Sequence, residues 1–353
     1  MPRRRSRSPH RRQRVSDARI SHGSAATLAP WTPGRSRELR TASLASVSMA
    51  VPDQVMTNEV VAAGAGVTEQ WIVHRTGVHE RRYVSEGETV VTLGAAAGRM
   101  ALEEAGVHAS ELDLVLLATV APDEILPNAA PLVATELGAH RAGAMDLGAA
   151  CTGFLSALSL ASSQVEGGRA ERVLVIGADV LSRFIDSSDR GTAALFADGA
   201  GAAVVGPANG AGGWIGEIVL ACDGRGGPSI RASHEEQYIR MQGHDTFKAA
   251  VLRMSEATLE AVERTGLELD DIDLFVYHQA NIRILRAVAE KLGLDESRVI
   301  DCIDRYGNTS SATLPIAMVD ARERGMLEPG MNVLLAAFGA GFTWGAGVIE
   351  WAA

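Results

Sequence analysis

The sequence predicts an α/β fold made of two similar halves, each with strands and helices around a mainly parallel sheet. Short apolar runs typical of buried strands alternate with amphipathic stretches of helical period after residue 40. The same succession of elements also occurs twice, with matching residues 160 positions apart. A chain of 353 residues is long enough to hold two such halves.

The internal repeat extends over several elements. Residues 99–120 and 259–280 each contain an amphipathic helix, a glycine, an acidic loop and a buried strand. The pairs that share the 160-residue offset are Gly106 and Gly266, Asp113 and Asp273, Cys151 and Ser311, and the strands at 173–178 and 333–338. Two copies are too few for a solenoid, so we expect two related α/β halves.

Composition divides the chain into three parts. Residues 1–38 contain ten arginines and two acidic residues without periodicity, which predicts a disordered basic extension. It has no apolar core of a secretory signal, so we favour a flexible tail or an early start codon over an RNA-binding or targeting arm. The Pro- and Gly-rich stretch at 207–213 then separates a first half at 39–210 from a second half at 211–353.

Charge and cysteine content exclude several classes of protein. The net charge is −10 despite the basic N-terminus, which argues against general nucleic-acid binding by the folded part. Three widely spaced cysteines form neither a disulfide framework nor a metal-ligand pattern, and they favour a cytoplasmic location. No apolar run approaches the roughly 18 residues of a membrane span, so we expect no membrane contact.

In the first half, the candidate nucleophile is Cys151. An apolar run ends at Leu147, small residues follow, and a helical pattern begins near Gly153. Backbone N–H groups and the helix dipole at such a position favour an anion, and a thiolate is the reactive form of cysteine. A buried structural cysteine is the alternative interpretation.

Three loops of the second half follow buried strands and carry polar or glycine-rich sequence. His278 ends one strand, Asn308 precedes a helix, and a glycine-rich turn spans 339–341. Ligands bind at this edge of open α/β sheets. Each feature also has a purely structural interpretation. The histidine could be a buried residue with its hydrogen bonds made, the asparagine an Asx turn or helix cap, and the glycine-rich turn a simple hairpin.

Seven segments in order resemble β-ketoacyl-acyl-carrier-protein synthase III. They span the chain from about Arg40 to Trp351. The segments are WIVHRTGVHER at 71–81, CTGF from Cys151, DRGTAALFADGAGAAVV at 189–205, MQGHDTFKAAV at 241–251, HQANIRI at 278–284, YGNTSSAT at 306–313 and FGAGFTWG at 338–345. The family has the duplicated thiolase-like fold, layered α-β-α-β-α, which agrees with the repeat.

The resemblance implies a two-stage reaction. Cys151 takes the acyl group from an acyl-CoA, with the backbone N–H groups of Cys151 and Gly341 around the oxyanion. His278 and Asn308 then donate hydrogen bonds to malonyl-acyl-carrier protein as it loses CO2, and the carbanion attacks the acyl-cysteine. We expect no metal or redox cofactor, because coenzyme A enters as a thioester substrate.

The resemblance also implies a coenzyme A groove. Trp71 and Arg190 take the positions that sandwich adenine, and Arg75 that of a phosphate contact. The remaining positions of the predicted coenzyme A site are Gly243, His244 and Asn281. His244 stands where relatives commonly carry Asn, so the pantetheine contact differs there. Ala340 replaces a common glycine, which requires a negative φ.

Two further surfaces follow from the resemblance. An acidic carrier protein needs a basic patch, for which we expect Lys248, Arg283 and Arg286. The loop at 121–128 resembles the segment that crosses a homodimer interface and closes the acyl pocket of the partner. Leu126 stands where acetyl-selective relatives often carry Phe, which predicts room for a longer or branched starter.

Four alternatives remain open from the sequence. An acyltransferase of the same fold, transferring to an alcohol, amine or carrier protein, is the main one, although Asn308 argues for enolate stabilisation. A thiolase usually has a second cysteine in the last glycine-rich turn, and FGAGFTWG has none. A plant-type polyketide synthase extends CoA-bound malonate with the same residue types. A non-catalytic partner subunit does not need the intact Cys, His and Asn set.

Overall fold

The computed structural model describes residues 40–208 and 212–352. The predicted extension at 1–38 and the predicted boundary between 210 and 211 lie outside the described residues.

The described residues form fourteen strands and nine α-helices. The strands are β1 Ala42–Ala50, β2 Val55–Thr57, β3 Glu80–Arg82, β4 Leu114–Ala118, β5 Gly143–Leu147, β6 Val173–Val180, β7 Asp198–Pro207, β8 Trp214–Ile215, β9 Val219–Cys222, β10 Ile230–Ala232, β11 Ile239–Met241, β12 Leu274–Tyr277, β13 Asn332–Gly339 and β14 Thr343–Glu350. The helices are α1 Asn58–Ala65, α2 Glu69–Thr76, α3 Val90–Ala105, α4 Ala129–Leu137, α5 Gly153–Glu166, α6 Gly243–Thr265, α7 Ile282–Leu292, α8 Ile303–Tyr306 and α9 Thr313–Glu323. None of the helices in the described ranges is long and apolar enough to cross a bilayer.

Two five-stranded sheets contain most of these strands. The first has the order β1-β7-β6-β4-β5, and the second runs β12-β13-β14-β8 with β9 also on β14. The expectation of mainly parallel sheets is wrong, because only β4 with β5 and β6, and β12 with β13, pair in parallel. In the second sheet the reason is local for one pair: the turn between β13 and β14 is too short for a crossover, so these two strands pair antiparallel.

The sheets and helices stack in five layers. Helices α5 and α9 lie between the two sheets and share one apolar core with both. Helices α3 and α4 cover the outer face of the first sheet, and α6 and α7 cover that of the second. This arrangement confirms the predicted α-β-α-β-α fold.

The duplication is visible in the elements themselves. Strands β4 and β12, and then β6 and β13, occupy matching positions at the 160-residue offset. Short 3₁₀ turns at Ala150–Thr152 and Ser310–Ala312 precede α5 and α9 at the same offset. Within these turns, Ala150 has a φ of 47° and Ser310 a φ of 53°. The two halves therefore repeat even in an unusual backbone conformation.

These two turns contact the strand ends of the opposite half. A Cβ built on Gly177 of β6 would lie 2.3 Å from the Ser311 carbonyl oxygen. A Cβ built on Gly339 of β13 would lie 2.8 Å from the Cys151 backbone nitrogen. Glycine at both positions permits this close approach, which brings the Cys151 turn and the Ser310 turn together.

Candidate active site

A cavity of about 1090 Å³ lies at the strand ends where the two turns meet. Its lining includes Cys151 from the first half and both His278 and Asn308 from the second. The three side chains that sequence analysis selected, from loops far apart along the chain, therefore face one space.

Cys151 lies between β5 and α5, in the 3₁₀ turn at Ala150–Thr152. Its thiol donates to Ser310 Oγ at 3.6 Å. Burial raises the pKa of the Cys151 thiol to about 12, and the Ser310 hydrogen bond opposes that rise only in part. The helix start was expected to favour the thiolate, whereas loss of water around the buried sulfur favours the neutral thiol. The resting thiol is therefore protonated at neutral pH.

His278 directly follows β12 and is 1% exposed. Its backbone N–H donates to the Ala336 carbonyl at 2.8 Å, which fixes the residue against β13. Nδ1 is buried and has no hydrogen-bond partner among the described residues. Burial lowers the pKa of His278 to about 3, because the imidazolium would lose its hydration. The imidazole is therefore neutral at physiological pH.

Asn308 is held by its backbone and by one side of its amide. Its N–H donates to the Leu195 carbonyl, and its carbonyl accepts from the Ala197 N–H, each at 2.9 Å. Its Oδ1 accepts from the Ser310 N–H at 2.9 Å. With Oδ1 engaged in this way, the Nδ2 group is the side of the amide left to donate into the cavity.

The glycine-rich turn after β13 contributes Gly339 and Ala340 to the cavity lining, whereas Gly341 lies outside it. Ala340 has a negative φ, as its substitution for glycine requires, while Gly341 has a φ of 138°. The sequence assigned the backbone N–H of Gly341 to the oxyanion. Gly341 lies one residue beyond Ala340, the last residue of the turn that lines the cavity.

The lining of the same cavity also contains an aromatic and cationic group, formed by Trp71, Arg75 and Arg190. The guanidinium carbons of Arg75 and Arg190 lie 5.9 and 5.8 Å from the centre of the Trp71 ring. These are cation–π distances, and together they give a flat apolar face with two positive charges. Such a surface suits a planar base that carries phosphate groups.

The cavity wall also includes Gly243, His244 and Asn281. Gly243 and His244 begin helix α6. Asn281 caps α7: its Oδ1 accepts from the Arg283 N–H at 2.9 Å and its Nδ2 donates to the Arg75 carbonyl at 3.0 Å. Asn281 therefore joins two parts of the wall, in addition to lining the cavity.

Known proteins share this sequence and fold. Two family models match, described as 3-oxoacyl-[acyl-carrier-protein] synthase III over residues 145–224 and its C-terminal domain over residues 262–351. A β-ketoacyl-[acyl-carrier-protein] synthase III of Roseiflexus sp. (strain RS-1) is 43% identical over 326 residues, which covers 88% of this chain and 99% of the relative. The chain belongs to the β-ketoacyl-acyl-carrier-protein synthase III family.

Further members of the family are similar to this chain in sequence and in fold. The synthase III of Brucella abortus (strain S19) is 44% identical over 317 residues, or 86% of this chain and 98% of the relative. The crystal structure of the synthase III of Aquifex aeolicus VF5 has a TM-score of 0.85 at 38% identity, covering 88% of this chain and all of that one. The priming β-ketosynthase of the R1128 polyketide pathway has a TM-score of 0.86 at 37% identity, covering 91% and 99%.

The three residues predicted to dock a carrier protein are exposed but differ in position. Lys248 lies on α6 and lines neither cavity. Arg283 lines the main cavity and also a second one of about 640 Å³, whereas Arg286 lines only the second. The guanidinium carbon of Arg283 lies 5.6 Å from the centre of the Phe247 ring. The basic residues of α7 therefore extend from the lining of the main cavity to that of the second.

The loop before α4 exposes two large apolar side chains. Ile125 is 85% exposed yet lines the main cavity, whereas Leu126 is 78% exposed and lies outside the lining of its own cavity. Strand β5, which forms the edge of the first sheet, adds Met145 at 44% exposure. An edge strand beside exposed apolar side chains is a typical protein contact surface.

Sequence reasoning missed several residues that line the synthase cavity. The hairpin of β10 and β11 forms one wall, and Arg240 ties it to Asp186 at 2.9 Å. These strands are too short to show a period, and no sequence signal identified them. Ser310 and Ala340 were within recognised motifs but were given no role. No cluster of three or more potential metal ligands occurs among residues 40–208 and 212–352.

Proposed function

We propose that this chain condenses an acyl-CoA starter with malonyl-acyl-carrier protein, releasing CO2 and forming a 3-oxoacyl-carrier protein that primes fatty acid or polyketide synthesis. The observation that carries the proposal is the meeting of a thiol, a neutral imidazole and a carboxamide donor in one cavity. Relatives named as synthases of this type, at 43 and 44% identity, support it.

In the first stage, Cys151 attacks the thioester carbonyl of the acyl-CoA and keeps the acyl group. The developing oxyanion needs backbone N–H donors, and we assign these to Cys151 and Ala340. We assign this role to Ala340 and not to Gly341, because Ala340 lines the cavity and Gly341 does not. The packing of Gly339 against the Cys151 nitrogen supports a common position for the two donors.

In the second stage, His278 and Asn308 hydrogen-bond to the thioester oxygen of malonyl-carrier protein. This oxygen gains negative charge as CO2 leaves, so donors fixed in advance lower the barrier. The low pKa of His278 makes its imidazole neutral, which suits donation from one ring nitrogen without adding a charge. The resulting carbanion attacks the carbonyl carbon of acyl-Cys151 and breaks its C–S bond.

Coenzyme A enters as part of the substrate, and no resident cofactor is invoked. We place its adenine between Trp71 and Arg190, with Arg75 in contact with a phosphate. We place its pantetheine arm past Gly243, His244 and Asn281. The three cysteines of this chain are free, which favours a reducing compartment such as the cytoplasm.

The carrier protein, which is acidic, is proposed to dock on the basic face formed by Lys248, Arg283 and Arg286. This face adjoins the mouth of the main cavity through Arg283. A phosphopantetheine arm entering there would lead directly to Cys151.

A homodimer is proposed to form across the edge strand β5. In that assembly the apolar loop with Leu126 would reach the partner and close the acyl pocket of that subunit. The high exposure of Leu126, and its absence from its own cavity lining, support this arrangement.

The deciding experiment separates the two stages. Cys151→Ala is expected to abolish the acyl adduct seen by intact-mass spectrometry after incubation with mixed acyl-CoAs. Asn308→Ala is expected to form the adduct normally but to lose malonyl-thioester decarboxylation by about 10²-fold. If Asn308→Ala instead leaves decarboxylation intact while transfer of the acyl group to an alcohol, amine or carrier protein proceeds, the chain is an acyltransferase of the same fold.

A further inference from the structure

One wall of the main cavity is the β10–β11 hairpin, which an apolar contact holds against the first half. Ile239 and Met241 of β11 line the cavity and pack on a buried cluster that includes Leu195 and Phe196. Arg240 lies between them in the strand, so its side chain leaves on the opposite face and is outside the cavity lining. Any effect of Arg240 on a bound substrate is therefore indirect.

Arg240 connects the hairpin to two carboxylates of the loop at 186–192. Its Nη1 lies 2.9 Å from Asp186 Oδ2 and 3.6 Å from Asp189 Oδ2. The side chains of Arg240, Asp186 and Asp189 are 35, 26 and 28% exposed, so water screens their charges only in part. One cation that is shared by two half-buried carboxylates is a firmer tie than an isolated ion pair on the surface.

Neighbouring side chains of the hairpin orient Arg240. Its guanidinium carbon lies 5.6 Å from the centre of the Tyr238 ring, which is a cation–π distance. Arg231 is its register partner across the hairpin and has a like charge, but Glu236 lies 3.6 Å from Arg231 and offsets that charge. The positive charge of Arg240 is therefore directed to the two carboxylates of the loop.

The same two carboxylates shape the backbone on both sides of Arg190. Asp186 Oδ1 accepts from the Ser188 N–H at 3.0 Å and from Ser188 Oγ at 2.6 Å. Asp189 Oδ1 accepts from the Gly191 N–H at 2.9 Å. Because these bonds hold the residues before and after Arg190, an anchor on the two carboxylates also fixes the backbone of Arg190.

Arg190 itself is exposed and lines the cavity, with its guanidinium carbon 5.8 Å from the centre of the Trp71 ring. A long side chain on an exposed loop loses conformational entropy when it stacks on a ligand, and this loss weakens binding. A loop backbone that is fixed beforehand reduces the loss. The tie between the hairpin and this loop therefore bears on how well Arg190 binds a ligand.

We propose that Arg240 is a positioning residue for coenzyme A, because it anchors the loop at 186–192 and thereby keeps Arg190 opposite Trp71 before the adenine binds. This inference rests on the proposed function, since it concerns the adenine site assigned there. Arg240 acts through Arg190 and not on the acyl group. Its contribution is therefore confined to thioesters that have the adenosine part of coenzyme A.

The test compares Cys151 acylation by one acyl group on two carriers, coenzyme A and phosphopantetheine, which lacks the adenosine part. The acyl group is the one that gives most adduct from mixed acyl-CoAs, and intact-mass spectrometry follows the rate. Arg240→Met keeps an apolar stem and removes the charge. It is expected to raise the acyl-CoA concentration for half-maximal acylation about fivefold at an unchanged maximal rate, and to leave acylation by the phosphopantetheine thioester unaffected.

Two further variants trace the effect to the loop. Asp186→Asn keeps an Oδ1 acceptor for Ser188 but loses the ion pair, so it is expected to repeat the result of Arg240→Met. It also provides the test if Arg240→Met does not fold. In the double variant Arg190→Met/Arg240→Met, the loss is expected to equal that of Arg190→Met alone, because both changes remove the same function.

Controls separate the possible failures. Arg225→Met makes the same change at an exposed arginine outside the cavity lining and is expected to match wild type. Equal losses with both thioesters, additive losses in the double variant, or wild-type kinetics in folded Arg240→Met and Asp186→Asn would each overturn the positioning role. Wild-type use of acyl-CoA by Arg190→Met would overturn the adenine placement as well. Absence of any acyl adduct on wild-type Cys151 would instead overturn the proposed function.

Discussion

At the residue scale, burial is the main cause of the shifted pKa values of Cys151 and His278. Cys151 lies two residues before α5, where an anion is favoured, yet its thiol pKa is raised to about 12. His278 shows the same control in the opposite sense, since loss of hydration lowers its pKa to about 3. Both groups are therefore neutral before the substrate binds. Neither carries a charge whose hydration would have to be removed when a thioester enters.

The backbone around Cys151 gives a prediction at this scale. Gly339→Ala places a Cβ 2.8 Å from the Cys151 nitrogen, a backbone atom that must move to admit it. Displacing this N–H from the oxyanion is expected to slow Cys151 acylation by about 10²-fold, as loss of one such donor does. Gly148→Ala in the same region is the matched control, because its Cβ meets nothing within 4 Å. Equal acylation rates in both variants would contradict this account.

At the scale of single elements, the start of α7 combines two roles. Asn281 caps the helix and ties it to Arg75, so the coenzyme A wall and the helix are one unit. Arg283 and Arg286 project from its exposed face, three residues apart on adjacent turns. Neither forms a salt bridge with another described residue, although Arg283 stacks on Phe247 and Arg286 acts electrostatically on Asp301. Both side chains are exposed and can therefore meet an acidic partner.

Reversing the charge at Arg286 tests the docking face. Arg286→Glu is expected to raise the KM for malonyl-carrier protein about tenfold, because it opposes an acidic partner. Acylation by acyl-CoA is expected to be unchanged, since Arg286 does not line the main cavity. Arg99→Glu on the exposed face of α3 makes the same charge change elsewhere. Steady-state kinetics with both substrates measure the effect. Equal KM values for malonyl-carrier protein in Arg286→Glu and Arg99→Glu would count against docking on this face.

The loop at 121–128 gives a second prediction at this scale. Leu126→Phe is expected to reduce acylation by branched and longer acyl-CoAs at least tenfold relative to acetyl-CoA, because a larger ring fills the partner's pocket. A chain-length series read by adduct mass measures this, and Leu259→Phe on exposed α6 is the control. Sedimentation velocity checks the dimer. A monomeric protein, or an unchanged chain-length profile, would refute the pocket-closing role.

At the scale of the whole molecule, the two halves are held together through the centre of the fold. Helices α5 and α9 pack against both sheets, and Asp179 of the first half bonds the Ser311 turn of the second. The catalytic groups sit on these shared turns. Stability of the interface and geometry of the site therefore depend on the same contacts.

This coupling predicts a stability effect. Gly177→Ala places a Cβ 2.3 Å from the Ser311 carbonyl oxygen and is expected to lower the free energy of unfolding by on the order of 3 kcal/mol. Gly94→Ala in α3 meets only ordinary contacts, the nearest at 3.5 Å, and is expected to be neutral or stabilising by about 0.5–1 kcal/mol. Urea denaturation measures both. A Gly177→Ala variant as stable as wild type would show that the turns can separate.

The amino-acid sequence by itself determined the α/β class and the repeat, because these depend on local periodicity. Its short motifs gave the family resemblance, which implied the layered fold. It also selected Cys151, His278 and Asn308, whose loops follow recognisable strands. Only the tertiary structure decided the mixed strand directions, the place of Ala340 rather than Gly341 in the cavity, and the raised pKa of the thiol. It alone brought Ser310 to Cys151, since burial and contacts across 159 residues arise from packing between the halves.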